Sequence, residues 1–354
     1  MLVNTLIKEE AIQLLKKLIA TPSFSREEQE TGDLIELFFR KRSIVPQRIG
    51  NNILVRSKHW SATKPTILLN SHHDTVKPAS GYTKDPYNPE VSGKKLYGLG
   101  SNDAGGSLVA LIATFMHLHE QKLPYNLLFV ASAEEEISGP NGIAAVRDNI
   151  APIALGIIGE PTQMRMAIAE KGLMVVDGEA KGESGHAARD EGENALYIAL
   201  KDIEWLKSYE FEKVSDVLGK TKMTVTQIQA GTQHNVVPDS CKFVIDIRTN
   251  EEYSNEEVFE LIQKHTASEL TARSFRLNSS KIALDHPIVL RGKALGLPHY
   301  GSPTLSDQAL LPFTTIKIGC GKSARSHTAN EFIYVKEIEE GIGVYLQLLE
   351  GLIL

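Results

Sequence analysis

The chain has 354 residues, of which 42% are hydrophobic and 23% are charged, and its net charge is −6 at pH 7. These values are typical of a globular protein too long for one hydrophobic core, so two domains are expected. A negative net charge without long basic runs argues against a nucleic-acid surface. No apolar run approaches the roughly 20 residues that a membrane span needs. We therefore expect a small-molecule or peptide partner, and neither nucleic acid nor a membrane.

The N-terminal segment and the cysteines indicate a cytoplasmic protein. Glu9 and Glu10 lie inside an amphipathic pattern, whereas a signal peptide would have an uninterrupted apolar block. Cys241 and Cys320 are too few for a disulfide framework or a thiolate zinc site, and we predict that both are small buried core residues.

The predicted elements of the first part of the chain alternate between helix and strand. A helix over 7–18 is followed by a second helix that runs to Phe39, which Ser25 and Glu28 open at capping-box spacing. Strands are then predicted at 53–55, 67–69, 126–131 and 155–158, with a helix over 107–119. This alternation predicts an α/β fold with a mainly parallel sheet flanked by helices.

Near residue 171 the pattern changes. Strands are predicted at 173–180, 223–228, 243–248 and 274–277, with a helix over 195–206 and another that Ser254 and Glu257 open as a capping box. The order β-α-β-β-α-β is that of a ferredoxin-like α+β sandwich. We therefore predict a second domain at 172–283, inserted into a first domain of 1–171 and 284–354 that ends with a strand at 315–318 and a helix over 337–352.

Polar residues follow the strands of the first domain. In such sheets ligands bind beyond the carboxyl ends of the strands, so side chains at these ends are expected to meet. A glycine-rich turn at 98–106, just before a predicted helix, adds one more acid. The residues at these positions are His72, Asp74, Asp103, Glu134, Glu135 and Glu160.

Two of these positions have their own rival interpretations. His72 and Asp74 lie on one side of an extended backbone, which suits a metal-binding imidazole oriented by a carboxylate, although such a triplet alone is commonly an ordinary polar loop. The turn at 98–106 resembles the start of a dinucleotide fingerprint, but Asp103 replaces its third glycine and would face a pyrophosphate. A metal-binding turn is favoured.

The residue types favour catalytic metal chemistry. The imidazoles of His72 and His327 with the carboxylates of Asp103, Glu135 and Glu160 form a mixed nitrogen and oxygen set without thiolate, which suits zinc or a similar ion in an open site. A carboxylate shared by two ions would hold them about 3.5–4 Å apart, and Asp103 is the natural bridge. One of the adjacent Glu134 and Glu135 is then available as a general base.

Five segments resemble, in order, the motif set of the M20 metallopeptidases, and the resemblance spans nearly the whole chain. They are residues 71–76, 97–103, 133–136, 159–162 and 326–332. The resemblance implies a zinc-peptidase-like catalytic domain, an inserted lid and dimerisation domain, and two Zn²⁺ per subunit, with Co²⁺ as a substitute. It implies that one zinc is bound by His72 and Glu160 and the other by Glu135 and His327, with Asp103 as bridge, Asp74 orienting His72 and Glu134 as the base.

The sequence departs from the family pattern around the glutamates. Ala133 stands where the family often has Asp, and Glu136 extends the pair to a run of three. A shift of the base and ligand assignments by one residue therefore stays open.

The resemblance also implies substrate-binding residues. His186 resembles the lid histidine, which reaches the scissile carbonyl, often from the partner subunit of a homodimer, and stabilises the oxyanion. Asn235 and Arg248 match positions that hold polar groups of the substrate, although Arg248 alone could also be a strand-end ion pair. Ser306 lies in a segment, 301–307, that resembles the substrate loop.

The expected activity is hydrolysis of the amide bond of an N-acyl-L-amino acid, of the acetylornithine or acyl-citrulline type found in arginine biosynthesis. Alternatives within the family are N-succinyl-diaminopimelate and di- or tripeptides. A non-catalytic metal-binding relative is a more remote alternative, because every ligand and the base are present.

Overall fold

The computed structural model describes residues 5–150 and 152–354, and these form two compact units. The first comprises the chain up to Ile168 together with Lys281–Tyr300 and Ser306–Leu354, and the second comprises Ala169–Ser280 and Gly301–Leu305. The predicted borders at 171/172 and 283/284 each differ by a few residues. Residues 301–305 were predicted in the first domain and belong to the second unit.

The helices and strands of the described residues are as follows. The α-helices are α1 (Thr5–Ile19), α2 (Gln29–Arg40), α3 (Gly106–Leu118), α4 (Ile143–Arg147), α5 (Ala195–Ser208), α6 (Asn255–His265), α7 (Pro287–Ala294) and α8 (Val335–Leu349). The strands are β1 (Gln47–Ile49), β2 (Asn52–Arg56), β3 (Thr66–His72), β4 (Val91–Ser92), β5 (Lys95–Tyr97), β6 (Asn126–Ser132), β7 (Leu155–Ile158), β8 (Met166–Glu170), β9 (Met174–Lys181), β10 (Lys222–Ala230), β11 (Ser240–Arg248), β12 (Glu269–Ala272), β13 (Ser280–Lys281), β14 (His299–Ser302), β15 (Thr315–Lys317) and β16 (Phe332–Tyr334).

The large sheet has the order β1-β2-β6-β3-β7-β15-β8-β13, and β14 pairs with β8. Its central strands β6, β3, β7 and β15 are parallel, and β2 and β8 flank them antiparallel. Every residue of β3 and of β6 is buried, as expected for strands covered on both faces. The prediction of a mainly parallel sheet flanked by helices is confirmed. The carboxyl ends of the parallel strands β3, β6 and β7 lie at the same edge of the sheet.

The second unit has the predicted β-α-β-β-α-β order, with an antiparallel sheet β10-β11-β9-β12. Its core is built from the inward residues of β9 and β11 and the apolar sides of α5 and α6. The last strand is Glu269–Ala272, so the prediction of a strand at 274–277 is wrong. The carbonyls of Phe275 and Leu277 accept hydrogen bonds from the side chain of Asn255 at 3.1 and 2.9 Å, and Phe275 packs edge-on against Phe259.

One of the two predicted capping boxes forms. Ser254 and Glu257 exchange side-chain and backbone hydrogen bonds at the start of α6. The helix α2 begins at Gln29 without a side-chain cap, and the hydroxyl of Ser25 instead donates to Oδ2 of Asp74 at 2.7 Å. The sequence spacing is the same in both cases, but a distant acceptor attracts the hydroxyl of Ser25.

Two other predictions concern the cysteines and membrane-spanning segments. Cys241 and Cys320 are free and buried, as predicted. Within 5–150 and 152–354, none of the helices combines the length and the apolar character that a bilayer-crossing segment requires.

Candidate metal centre

His72 ends β3, in the middle of the parallel strands, and its side chain is buried. Its Nδ1 atom lies 3.0 Å from the backbone oxygen of Asp74 and 3.4 Å from Oδ1 of the same residue. Its Nε2 atom lies 3.4 Å from Oδ1 of Asp103 and 3.7 Å from Oε1 of Glu160. When Nδ1 carries the proton and donates it to Asp74, the lone pair of Nε2 is free to bind a cation. Asp74 therefore stands where the predicted orienting group should be.

Asp103 lies in the turn Ser101–Gly105, which leads directly into α3, and the backbone of Asp103 itself is not helical. The turn is entered at Gly100 with φ of +73°, and a Cβ on this glycine would lie 2.6 Å from Cγ2 of Thr75. A side chain at this position would therefore be strained by both the backbone and the neighbour. The glycine allows the turn to bring the carboxylate of Asp103 to the end of β3.

Glu134 follows β6, but its carboxylate binds Asn141 and not His72. The residue has φ of +53°, and its two carboxylate oxygens accept hydrogen bonds from the backbone N–H and the side-chain amide of Asn141 at 3.2 and 2.9 Å. A Cβ on Gly139 would lie 1.9 Å from Oε2 of Glu134, so glycine leaves the space that this side chain fills. The Glu134 side chain is therefore buried against Gly139 and Asn141.

The next two glutamates point to the cluster. Their backbone N–H groups donate to the two oxygens of Asp74, that of Glu135 at 3.0 Å and that of Glu136 at 3.2 Å. The Oε2 atom of Glu135 lies 3.9 Å from Nε2 of His72, and Oε2 of Glu136 lies 3.0 Å from Nε2 of His327. The prediction of Glu134 as base and Glu135 as ligand is therefore shifted by one residue, to Glu135 and Glu136. The left-handed backbone at Glu134 and its bonds with Asn141 hold that side chain elsewhere.

The donor atoms form two groups that share one carboxylate. Atoms of His72, Asp103 and Glu160 lie within 4.8 Å of one another, and so do atoms of Asp103, Glu136 and His327. The two imidazoles and the carboxylates form nitrogen and oxygen donor sets that suit zinc or a similar divalent ion, and a shared carboxylate is typical of two-metal hydrolases. The residues present therefore fit a pair of cations, with Asp103 between them.

The electrostatics of the cluster are those of several carboxylates taken out of water together. Burial raises the pKa of Glu135 well above its usual range, and it raises the pKa of Glu160 to about 8. Burial also opposes ionisation of Asp103, but the hydrogen bond and charge of His72, together with Ser326 and His327, outweigh burial and lower the pKa of Asp103. The hydrogen bond with Glu136 raises the pKa of His327 to about 9. A bound cation would offset this concentration of negative charge and favour the ionised carboxylates.

The predicted residues of the inserted domain lie in the second unit. His186 and Asn235 are exposed, and the two segments touch where the backbone oxygen of Asn235 accepts a hydrogen bond from the N–H of Ala187 at 3.0 Å. Arg248 ends β11 and forms two hydrogen bonds with Asp246 at 2.8 and 3.0 Å, the strand-end ion pair considered above. Their roles towards a substrate stay predictions.

The loop before the helical turn Asp307–Leu310 contains Ser306, the residue predicted to contact the substrate. Ser306 is buried and its hydroxyl caps this turn by accepting the N–H of Gln308, and its contact with a substrate stays a prediction. Its neighbour Asp307 accepts hydrogen bonds from Asn70 at 2.7 Å and from Ser132 at 2.6 Å, near the ends of β3 and β6. Burial raises the pKa of Asp307 to about 6.

Sequence reasoning missed two further buried carboxylates beside the centre. Glu28 accepts the backbone N–H of Glu134 at 3.1 Å and the side chain of Asn51 at 2.9 Å. Glu331 accepts three backbone N–H groups of the turn that carries Asp103. Glu331 lies in the last of the family-like segments, but nothing in the sequence indicates that it binds a turn more than two hundred residues away in the chain.

The comparisons with known proteins agree with this geometry. Residues 68–351 match the family described as "Peptidase family M20/M25/M40". An uncharacterized metallohydrolase of Methanocaldococcus jannaschii is 29% identical over 81% of this chain and 83% of its own length. Acetylornithine deacetylase of Proteus mirabilis is 26% identical over 96% of each chain.

Solved structures share the fold at low identity. Aminopeptidase PepT of Bacillus cereus has a TM-score of 0.78 and 19% identity, covering 97% of this chain and 98% of its own. A Bacillus subtilis protein described as a dinuclear metal-binding peptidase of the M20 family has a TM-score of 0.73 and 15% identity, covering 98% and 99%. The family match, the shared fold and the two donor groups around Asp103 lead to one conclusion: this chain belongs to peptidase family M20/M25/M40 and is a metal-dependent hydrolase of amide bonds.

Proposed function

We propose that the enzyme removes the acyl group from an N-acyl-L-amino acid of the acetylornithine or acyl-citrulline type, as an enzyme of arginine biosynthesis in the cytoplasm. The observation that carries the amide hydrolysis is the sharing of Asp103 by two donor groups, with the carboxylate of Glu135 beside His72. The choice of substrate is supported by the likeness to acetylornithine deacetylase along nearly the whole of both chains.

The proposed ligands would form two ion-binding positions. His72 and Glu160 with Asp103 would hold one divalent ion, and Glu136 and His327 with Asp103 would hold the other. We propose zinc for both positions, with Co²⁺ as a substitute. When bound, such ions polarise the scissile carbonyl and lower the pKa of water to about 7.

Glu135 is the proposed general base. It accepts the proton of the attacking water and returns it to the amine nitrogen as the carbon–nitrogen bond breaks. Its carboxylate lies 3.9 Å from the imidazole of His72, and its backbone is held by Asp74, so it faces the centre without serving as a member of either donor group. Glu134 cannot share this role because Asn141 binds both of its oxygens.

The second unit would supply the substrate contacts. We propose that His186 donates a hydrogen bond to the developing oxyanion and that Asn235 and Arg248 bind polar groups of the amino acid. A substrate carboxylate would then compete with Asp246 for the guanidinium of Arg248. We also propose a homodimer through the inserted unit.

Peptide hydrolysis is the second candidate. It is supported by a structural neighbour from Staphylococcus aureus that is described as a tripeptidase and has a TM-score of 0.77. Hydrolysis of N-succinyl-diaminopimelate is supported by the relative from Erythrobacter litoralis described as succinyl-diaminopimelate desuccinylase, which is 24% identical over 72% of this chain.

The test is a release assay with Zn²⁺- and Co²⁺-loaded protein. The substrates are N-acetyl-ornithine, N-acetyl- and N-succinyl-citrulline, N-succinyl-diaminopimelate and a tripeptide. We expect the highest kcat/KM for an ornithine or citrulline derivative, and no turnover after chelation. Turnover of the tripeptide alone would replace the proposal with a peptidase, and no turnover of any amide by the loaded protein would contradict both.

A further inference from the structure

The loop that carries His327 and the turn that carries Asp103 are joined by one buried carboxylate, Glu331. Its Oε1 atom accepts the backbone N–H groups of Asn102 and Asp103 at 2.8 and 2.9 Å, and its Oε2 atom accepts that of Gly100 at 3.1 Å. The backbone oxygen of Glu331 also accepts the N–H of Gly98 at 3.0 Å. Glu331 is 2% exposed, so these bonds are protected from water.

The loop of His327 is also held at its start, where the side chain of Asn102 forms two hydrogen bonds with the backbone of Lys322 at 2.9 and 3.2 Å. The side chain of His327 is 54% exposed and its backbone has φ of +58°. Beyond the histidine, Asn330 binds the backbone N–H groups of Thr83 and Lys84, each at 3.0 Å, and β16 then pairs with β5. Glu331 lies between these two anchors, and its carboxylate binds the backbone of the Asp103 turn.

The chemistry of this contact requires a carboxylate. Three N–H donors converge on two oxygen atoms, and a carboxylate offers only acceptors. A glutamine would present its NH₂ group to at least one of these donors, which would separate the turn from the loop. The oxygens of Asp103 are not used in the contact, so they remain available to both donor groups.

We propose that Glu331 is a positioning residue that sets the distance between the bridging carboxylate of Asp103 and the imidazole of His327, and thereby the capacity to bind the second cation. This inference rests on the metal assignment of the proposed function but not on its substrate. Oδ2 of Asp103 lies 3.5 Å from Nε2 of His327. If the loop of His327 moved relative to the Asp103 turn by a fraction of this distance, Asp103 and His327 would no longer be close enough to bind the same ion.

The experiment titrates Co²⁺ into metal-free wild-type protein and the Glu331→Gln variant, with calorimetry and the visible absorption of bound Co²⁺ as readouts. We expect the wild-type protein to bind two ions. In the variant at least one ion should bind about tenfold to a hundredfold more weakly, which is the usual effect of losing a group that orients metal ligands. Two ions bound with wild-type affinity would overturn the proposal.

A matched control separates positioning from a general loss of stability. Asp202 in the second unit is also buried, and its carboxylate accepts the backbone N–H groups of Ala267 and Ser268 at 3.0 and 2.8 Å. Asp202→Asn should destabilise the fold to a similar extent and leave both Co²⁺ affinities unchanged. Equal loss of Co²⁺ binding in Asp202→Asn and Glu331→Gln would contradict the proposal.

A second variant covers the case in which Glu331→Gln does not fold. Glu331→Asp keeps the charge but is shorter by one methylene, so it cannot reach all three N–H groups, and it should weaken Co²⁺ binding in the same direction. Wild-type affinity in Glu331→Asp would overturn the proposal. Because the readout is metal binding, this test is independent of the substrate. If the Glu331 variants lost an ion and the wild-type protein cleaved no N-acyl amino acid, the role of Glu331 would be supported and the proposed function contradicted.

Discussion

Nε2 of His327 lies 3.0 Å from Oε2 of Glu136, although the two residues are 191 positions apart in the chain. The contact joins the last of the family-like segments to the run of three glutamates. It brings the third glutamate into a donor group with Asp103, and the second is left beside His72. The different roles of Glu134, Glu135 and Glu136 can therefore be tested by substituting each residue separately.

The first prediction compares Glu135→Gln with Glu134→Gln. Loss of the proposed base in Glu135→Gln should lower kcat by about 10²–10⁴-fold while both metal ions stay bound. Glu134→Gln should keep its turnover, because that carboxylate binds Asn141 and not the centre. Steady-state kinetics with metal analysis of the same samples provide the measurement. The reverse pattern would restore the assignment of Glu134 as the base.

The second prediction concerns the metal content of Glu136→Ala. The variant removes one of three donors around the second ion position, whereas His72, Asp103 and Glu160 stay intact. We expect one tightly bound ion per chain instead of two, as measured by elemental analysis after dialysis against a weak chelator. Glu134→Ala is the control and should keep two ions. Two ions in Glu136→Ala would show that Glu136 is not a ligand.

The third prediction concerns Asp74, whose two oxygens hold the N–H groups of Glu135 and Glu136 and whose carboxylate lies 3.4 Å from the imidazole of His72. Asp74→Asn replaces one of these acceptors with a donor, so metal affinity should fall by about 10–100-fold. Ser25→Ala removes only a hydroxyl that donates to the same carboxylate, and it should have a much smaller effect. Calorimetric titration of both variants would measure the difference, and equal affinities would contradict the role of Asp74.

The fourth prediction uses two glycines. A Cβ on Gly139 would lie 1.9 Å from the carboxylate of Glu134, so Gly139→Ala should lower the free energy of unfolding by about 1–3 kcal/mol. Gly343 lies within α8 and has no atom within 4 Å of such a Cβ. Gly343→Ala should therefore stabilise the protein by about 0.5–1 kcal/mol. Urea unfolding measures both, and tolerance of Gly139→Ala would show that Glu134 can leave its position at little cost.

The fifth prediction concerns Asp307, which accepts hydrogen bonds from Asn70 and Ser132 in the interior. Asp307→Ala leaves these two buried donors without their acceptor, and each should cost about 1–3 kcal/mol of unfolding free energy. Asp285 is exposed, and Asp285→Ala should change stability by less than about 0.5 kcal/mol. If denaturant unfolding showed similar stability for the two variants, Asp307 would not be a structural acceptor.

The two capping-box sequences show when a local sequence pattern predicts the local structure and when it does not. Ser254 and Glu257 cap α6 as their spacing predicts. Ser25 and Glu28 have the same spacing, but Asp74 lies 49 residues away in the chain and accepts the hydroxyl of Ser25. A local rule therefore holds until a partner brought by the tertiary fold offers a better contact.

The sequence alone determined the fold class, the order of the elements and the kinds of donor atoms, because hydrophobic period and residue type are local properties. Only the tertiary structure decided which glutamate faces the centre. That choice depends on the left-handed backbone at Glu134 and on the space left by Gly139. It also depends on the hydrogen bond that Asn141 donates to Glu134 and on the one that Asp74 accepts from Glu135. Three identical side chains in a row differ only in the direction in which the folded backbone points them.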